Sequence, residues 1–75
     1  MMRPHALPER VTLPPAPLIG AAHLRIALGG VSRAVLSLWR AERGFPQGHR
    51  EGREVFTLTD AVADWCRANG SEVTR

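Results

Sequence analysis

The sequence has a single cysteine, Cys66, and it has no lysine and no tyrosine. One cysteine excludes an intramolecular disulfide and any metal site built from several thiolates. A small domain without such links suits a reducing compartment, so we expect a cytoplasmic protein. The N-terminus lacks the continuous apolar segment of a signal peptide, and no run of residues is long enough to span a bilayer. We therefore expect no membrane partner.

The residues that usually carry catalysis are also sparse. His23, His49 and Cys66 lie on different predicted elements, so neither a zinc site nor a catalytic triad is expected. The sequence has no glycine-rich phosphate loop. A chain of 75 residues permits one small domain with little room for a pocket. We therefore expect no enzyme activity, no metal and no cofactor.

Arginine is what the sequence has in quantity. All ten of its basic residues other than histidine are arginine, and the formal net charge is +3. A guanidinium offers a planar set of donors that suits phosphates and the edge of guanine. A net charge of this size is weak support for nucleic-acid binding, so the positions of the arginines matter more.

Proline divides the chain into regions. Five of the six prolines lie in residues 1–17, where they favour an extended backbone. We interpret this segment as a flexible arm, and the alternative is a basic arm that contacts DNA or a partner through Arg3 and Arg10. Residues 18–70 form the predicted domain, and residues 71–75 form a frayed tail.

Two short helices are predicted at the start of this domain. The first covers residues 18–28, and Gly29-Gly30 ends it because glycine reaches left-handed backbone angles at little cost. Ser32 is the expected N-cap of a second helix over residues 33–43. At about 100° per residue, this helix has an apolar face and a basic face. The apolar face contains Val31, Val35, Leu38 and Trp39, and the basic face contains Arg33, Ser37 and Arg40.

A hairpin and a third helix complete the prediction. Residues 47–56 predict a hairpin that turns at Glu51-Gly52. Thr59 is the expected N-cap of the third helix, which places Trp65 and Cys66 in the core with Trp39. The expected fold class is mainly α with a small β-hairpin, a winged helix-turn-helix with about three helices plus a two-stranded wing.

Residues 28–66 resemble the AlpA-like and excisionase-like winged helix-turn-helix proteins of phages and prophages, which belong to the broader MerR-like DNA-binding fold. The matching features are the turn LGGVSR, a helix that ends with Trp39, the pair Phe45-Pro46, the strand GREVF and the closing pattern DAVADW. Their order and spacing agree over residues 18–67. The resemblance implies sequence-specific binding of duplex DNA by a transcription regulator or by an excisionase, a recombination directionality factor.

The resemblance also implies which residues contact DNA. In the second helix these are Ser32, Arg33, Ala34, Val35 and Ser37, and in the wing they are Arg50 and Arg53. Two positions depart from the family pattern. Leu38 stands where the family commonly has arginine, and Arg40 is the expected replacement contact. Gly48 stands where the family commonly has a second proline, which predicts a looser start of the wing.

Duplex DNA is the expected partner, with integrase, RNA polymerase or further copies of the chain beside it. Two alternatives remain open. One is the DNA-binding domain of a phage terminase small subunit, which shares the winged fold but normally carries a further assembly segment. The other is a protein-interaction module that has lost DNA binding, which Leu38 and the wing acids Glu51 and Glu54 favour.

Overall fold

The structure is a computed structural model that describes residues 7–75, so Arg3 and the first part of the predicted arm lie outside the described residues. In chain order the elements are β1 (Arg10–Thr12), β2 (Leu18–Gly20), α1 (Ala21–Ala27), α2 (Arg33–Glu42), β3 (His49–Glu51), β4 (Glu54–Leu58), α3 (Thr59–Ala68) and β5 (Glu72–Thr74). An antiparallel sheet has the strand order β2-β4-β3, and β1 pairs with β5 in a parallel ladder.

The predicted fold class is wrong. We expected a mainly α winged helix-turn-helix with a two-stranded wing, but the described residues form a mixed α/β fold with three helices and five strands in two sheets. The hairpin predicted over residues 47–56 is present as β3 and β4. The missed strands are β1, β2 and β5, each three residues long. Such short strands are below the length at which alternating hydrophobicity identifies a strand.

Strand β2 occupies the start of the predicted first helix. It pairs with β4 so that Ile19 lies opposite Thr57, and both side chains are buried. The flanking residue Leu18 points to the other face and is exposed, as the alternation of side chains in a strand requires. Pairing with a distant strand therefore overrides the local helical spacing, and α1 begins only at Ala21.

The two ends of the described chain also differ from the prediction. Residues 10–12 of the predicted arm and residues 72–74 of the predicted tail form the β1–β5 ladder. Val11 and Leu13 are completely buried, and the Ser71 hydroxyl donates to the carbonyl of Pro8 at 2.8 Å. Burial of each aliphatic side chain contributes about 1.5–3 kcal/mol to stability. Residues 7–17 and 71–75 are therefore part of the folded domain.

Three aromatic residues form the centre of the core. The ring centroids of Trp39 and Trp65 are 5.4 Å apart, and Phe45 lies edge-on to Trp65 at 4.8 Å. The Trp65 indole N–H donates to the carbonyl of Arg43 at 3.0 Å, so the buried polar atom is satisfied. Cys66, which follows Trp65 in the sequence, is also buried, and this burial raises the pKa of its thiol to about 11. The predicted core positions of Trp39, Trp65 and Cys66 are confirmed.

The turn before α2 matches the prediction. Gly29 and Gly30 have φ values of +95° and +81°, which glycine adopts most readily. The Ser32 hydroxyl accepts a hydrogen bond from the Val35 amide at 3.2 Å, which confirms the predicted N-cap. The apolar face of α2 differs in one respect. Leu36 is 3% exposed and belongs to the core, whereas Leu38 is 43% exposed.

The N-cap of helix α3 lies one residue before the predicted position, Thr59. Leu58 is its N-cap, and no side chain caps the first turn. Thr59 is instead the first helical residue, and its buried hydroxyl has no hydrogen-bond partner among residues 7–75.

Candidate functional site

An open groove of about 410 Å³ lies between helix α2 and the β3–β4 hairpin. Its α2 wall is one stripe of the helix, with residues spaced by three, four and seven positions, which places them on the same side. We call it the arginine groove. Its lining residues are Ala21 and Arg25 from α1, Arg33, Leu36, Ser37 and Arg40 from α2, and Arg50, Arg53, Glu54 and Val55 from the hairpin.

The arginine groove concentrates positive charge. Half of the ten arginines line it, and Glu54 is the one acid among its lining residues. Within the described part of the chain, none of these arginines forms an ion pair. Uncompensated charges on the walls of a concave surface raise the local potential and attract anions.

Arginines elsewhere in the described chain are mostly compensated. The ion pairs join Arg10 to Glu72, Arg67 to Asp64, and Arg75 to Asp60. Arg43 differs: its guanidinium lies over the rings of both core tryptophans and donates to the amide oxygen of Asn69 at 3.3 Å. The net charge of the chain is modest, but most of the described arginines outside the groove are paired with acids. The unpaired positive charge therefore lies mainly in the groove.

The start of α2 presents the polar residues that the sequence singled out. Arg33 is the first residue of the helix, is exposed and lines the groove, and Ser37 is exposed one turn later on the same wall. Ser32 and Ala34 are exposed beside them, outside the groove lining. Of this group, the structure therefore places Arg33 and Ser37 in the groove.

Val35 is a wrong site prediction. The family resemblance placed it among the DNA contacts, whereas helical spacing placed it on the apolar face. The side chain is 6% exposed and belongs to the hydrophobic core, so it is not available to a ligand. The helical spacing was the better guide at this position.

Arg50 and Arg53 are exposed on the hairpin, Arg50 in β3 and Arg53 in the turn before β4. The acids beside them do not neutralise them. Glu51 lies 3.2 Å from the His49 ring nitrogen, and Glu54 forms no ion pair within residues 7–75. Both guanidiniums are therefore accessible to a ligand in the groove.

Arg40 is engaged within the protein. Its Nε donates to the carbonyl of Pro46 at 3.0 Å, and its Nη2 donates to the Thr57 hydroxyl at 3.2 Å. The guanidinium also lies 5.6 Å from the centre of the Phe45 ring. Partial burial lowers the pKa of this guanidinium from its ordinary value. We expected Arg40 to be a DNA contact on the basic face of α2, whereas its guanidinium is hydrogen-bonded within the protein.

Gly48 fits tightly against the same region. A Cβ at this position would lie 2.3 Å from Cγ1 of Val55 and 3.2 Å from Nη2 of Arg40. Both distances are shorter than ordinary contacts, so a side chain at this position requires the Val55 side chain to move and the Arg40 guanidinium to shift slightly. Gly48 therefore has a packing reason of its own, and the looser start of the wing expected from the missing proline stays a prediction.

Arg25 is the groove residue that sequence reasoning missed. It lies on α1, is half-buried, and its Nε donates to the carbonyl of Val31 at 3.0 Å. This hydrogen bond fixes the guanidinium near the start of α2. Arg25 is the one arginine of the predicted first helix, which could have marked it as a candidate. The side of the protein that its side chain faces, however, depends on where α1 begins.

Comparison with protein-family models, with curated proteins and with solved structures finds no match to this chain. The resemblance to AlpA-like and excisionase-like proteins therefore stays a prediction.

Within the described residues, no group of three or more histidine, cysteine, aspartate or glutamate side chains is placed to hold a metal ion. No helix in that part of the chain has both the length and the apolar character needed to cross a membrane.

Proposed function

We propose that the protein binds duplex DNA through the arginine groove and the exposed start of α2. The observation that carries this proposal is the set of five arginines around one groove, without ion pairs among the described residues, while the other described arginines except Arg43 are paired with acids. Duplex DNA presents a dense row of phosphates, and guanidinium groups bind phosphate through forked hydrogen bonds. A polyanion with regular spacing is the ligand that such a surface fits.

In this proposal the hairpin and helix α2 contact different parts of the duplex. Arg50 and Arg53, on the exposed hairpin, contact backbone phosphates and set the position of the protein on the duplex. Arg33 and Ser37 project from the first turns of α2, where side chains reach base edges when a helix lies in the major groove. A helix of 10 residues is about 15 Å long and fits that groove.

The biological role follows from the family resemblance and is part of the proposal. The protein would act in the cytoplasm as a phage or prophage transcription regulator or excisionase, with RNA polymerase or integrase as its protein partner. A domain of this size makes few DNA contacts. Useful affinity therefore requires several copies on adjacent sites or a partner protein.

Fluorescence anisotropy with a labelled duplex of mixed sequence at low salt tests the proposal. We expect binding at micromolar protein, and we expect the paired substitution Arg50→Ala and Arg53→Ala to weaken it by at least tenfold, or about 1.4 kcal/mol. Arg67→Ala is the control for the loss of one positive charge outside the groove, because Arg67 lies on α3 and pairs with Asp64. Absence of binding by the unaltered protein, or an equal loss with Arg67→Ala, would contradict DNA binding through the groove.

A second candidate, a protein-interaction module, is favoured by one specific observation. Leu18 and Leu58 are direct cross-strand partners in the β2–β4 ladder, and they are 46% and 60% exposed. An exposed apolar pair on a sheet is a feature of protein-contact surfaces. If the anisotropy experiment shows no DNA binding, this pair is the first place to substitute, with Leu58→Ser and a pull-down against host proteins. No specific observation favours the terminase alternative.

A further inference from the structure

Arg40 differs from the other arginines of the groove in the number of elements that it joins. From α2 it reaches the Pro46 carbonyl, which precedes the hairpin, and the Thr57 hydroxyl, which lies within β4. Among the described residues, the side chains of Arg33, Arg50 and Arg53 make no such hydrogen bonds. The guanidinium of Arg40 therefore connects helix α2 to the start of the hairpin and to strand β4.

The surroundings of Arg40 are built around it. Thr57 is 2% exposed, so its hydroxyl has little access to water and depends on a protein donor. The Phe45 ring supports the guanidinium, and Gly48 leaves space for Nη2 that a Cβ would narrow to 3.2 Å. A forked guanidinium satisfies two acceptors on different elements at once, which the ammonium of lysine does with less geometric control.

We propose that Arg40 is a positioning residue of the proposed DNA-binding surface, which holds the hairpin arginines Arg50 and Arg53 at a fixed distance from Arg33 on α2. This inference rests on the proposed function. The outer strand β3 is fully exposed, and the hairpin's other tie in the sheet is the ladder between β4 and β2. Contacts on α2 and on the hairpin reach one duplex together only when their separation is fixed.

A double-mutant cycle on DNA affinity tests the inference. Arg40→Met removes the connecting N–H groups and keeps much of the aliphatic volume, and Arg40→Lys keeps the charge. We expect both variants to weaken DNA binding by about tenfold. We also expect Arg50→Ala with Arg53→Ala to cost less affinity in the Arg40→Met background than in the unaltered protein, because the hairpin is no longer held in place. Arg33→Ala should keep most of its cost.

A direct phosphate contact by Arg40 gives the opposite pattern. Arg40→Lys would then retain most of the affinity, the costs would add, and the slope of log affinity against log salt would fall by about 0.9 in Arg40→Met. This result would overturn the positioning role while DNA binding itself stands. If the unaltered protein does not bind DNA, the proposed function fails, and the role of Arg40 in DNA binding fails with it.

Hydrogen exchange of the free protein gives a readout that does not need DNA. In Arg40→Met we expect faster exchange of the β3–β4 amides, with the amides of α3 unchanged. Unchanged protection of the hairpin would overturn the positioning role. If Arg40→Met does not fold, Thr57→Val provides the second variant, because it removes one acceptor of Arg40 at nearly constant volume. It should accelerate the same amides by a smaller factor, and unchanged protection in Thr57→Val would likewise overturn the role.

Discussion

The salt dependence of DNA binding is the most quantitative consequence of the arginine groove. Each phosphate contact by a basic side chain contributes about −0.9 to the slope of log affinity against log salt. Three groove arginines are exposed, namely Arg33, Arg50 and Arg53, and two more are half-buried. If the hairpin pair Arg50 and Arg53 alone meets phosphates, the slope is about −1.8, and if Arg33 meets one as well it is about −2.7.

These slopes translate into a large and measurable change. Between 50 and 200 mM salt, affinity should fall by roughly 12-fold for two contacts and by roughly 40-fold for three. Anisotropy titrations of one duplex at four salt concentrations measure the slope directly. Removal of Arg50 and Arg53 together should reduce its size by about 1.8, since two contacts are lost. In the control Arg67→Ala the slope should not change.

Two results would refute this reasoning. A slope near zero in the unaltered protein would mean that the groove arginines do not displace counterions. An unchanged slope after the removal of Arg50 and Arg53 would mean that the hairpin does not contact phosphates, even if DNA binds elsewhere on the protein.

Three further predictions concern single positions. Leu13→Ala should lower the free energy of unfolding by about 2–5 kcal/mol, because Leu13 is 1% exposed. Urea denaturation followed by tryptophan fluorescence measures this change. In the control Thr12→Ala, at an exposed neighbour, the free energy of unfolding should fall much less. Gly48→Ala should cost about 1–3 kcal/mol in the same assay, and a neutral result would show that Val55 moves aside freely. Glu54→Gln should raise affinity for mixed-sequence DNA in anisotropy, since it removes the acid that lines the groove; weaker binding would mean that Glu54 makes a favourable contact.

The local elements of this fold were largely accessible from the sequence. The glycine pair at 29–30 and the serine at 32 are chemical signals that act within a few residues, and they predicted the start of α2 correctly. The missed strands depend on partners far along the chain. Residues 18–20 form β2 only because β4 lies beside them, and residues 10–12 form β1 only because β5 does.

The faces of the helices show the same limit. Leu36 and Leu38 are two positions apart and so point to different sides of α2, and the sequence does not say which side meets the rest of the protein. The candidate site follows this pattern. Arg33 was predicted from the helix face and from the family resemblance, and Arg50 and Arg53 from the predicted hairpin and the same resemblance. The engagement of Arg40 with Pro46 and Thr57 required knowledge of how the hairpin packs on α2.

The parallel ladder between β1 and β5 also affects how the chain is made in the cell. The partner of Arg10 is Glu72, 62 positions later, so the first strand has no neighbour until residues 72–74 have left the ribosome. Until then Val11 and Leu13 lack the ladder that holds them in place. A prematurely terminated product that ends before residue 72 would therefore expose these side chains to proteases and chaperones, and only the longer chain would escape quality control.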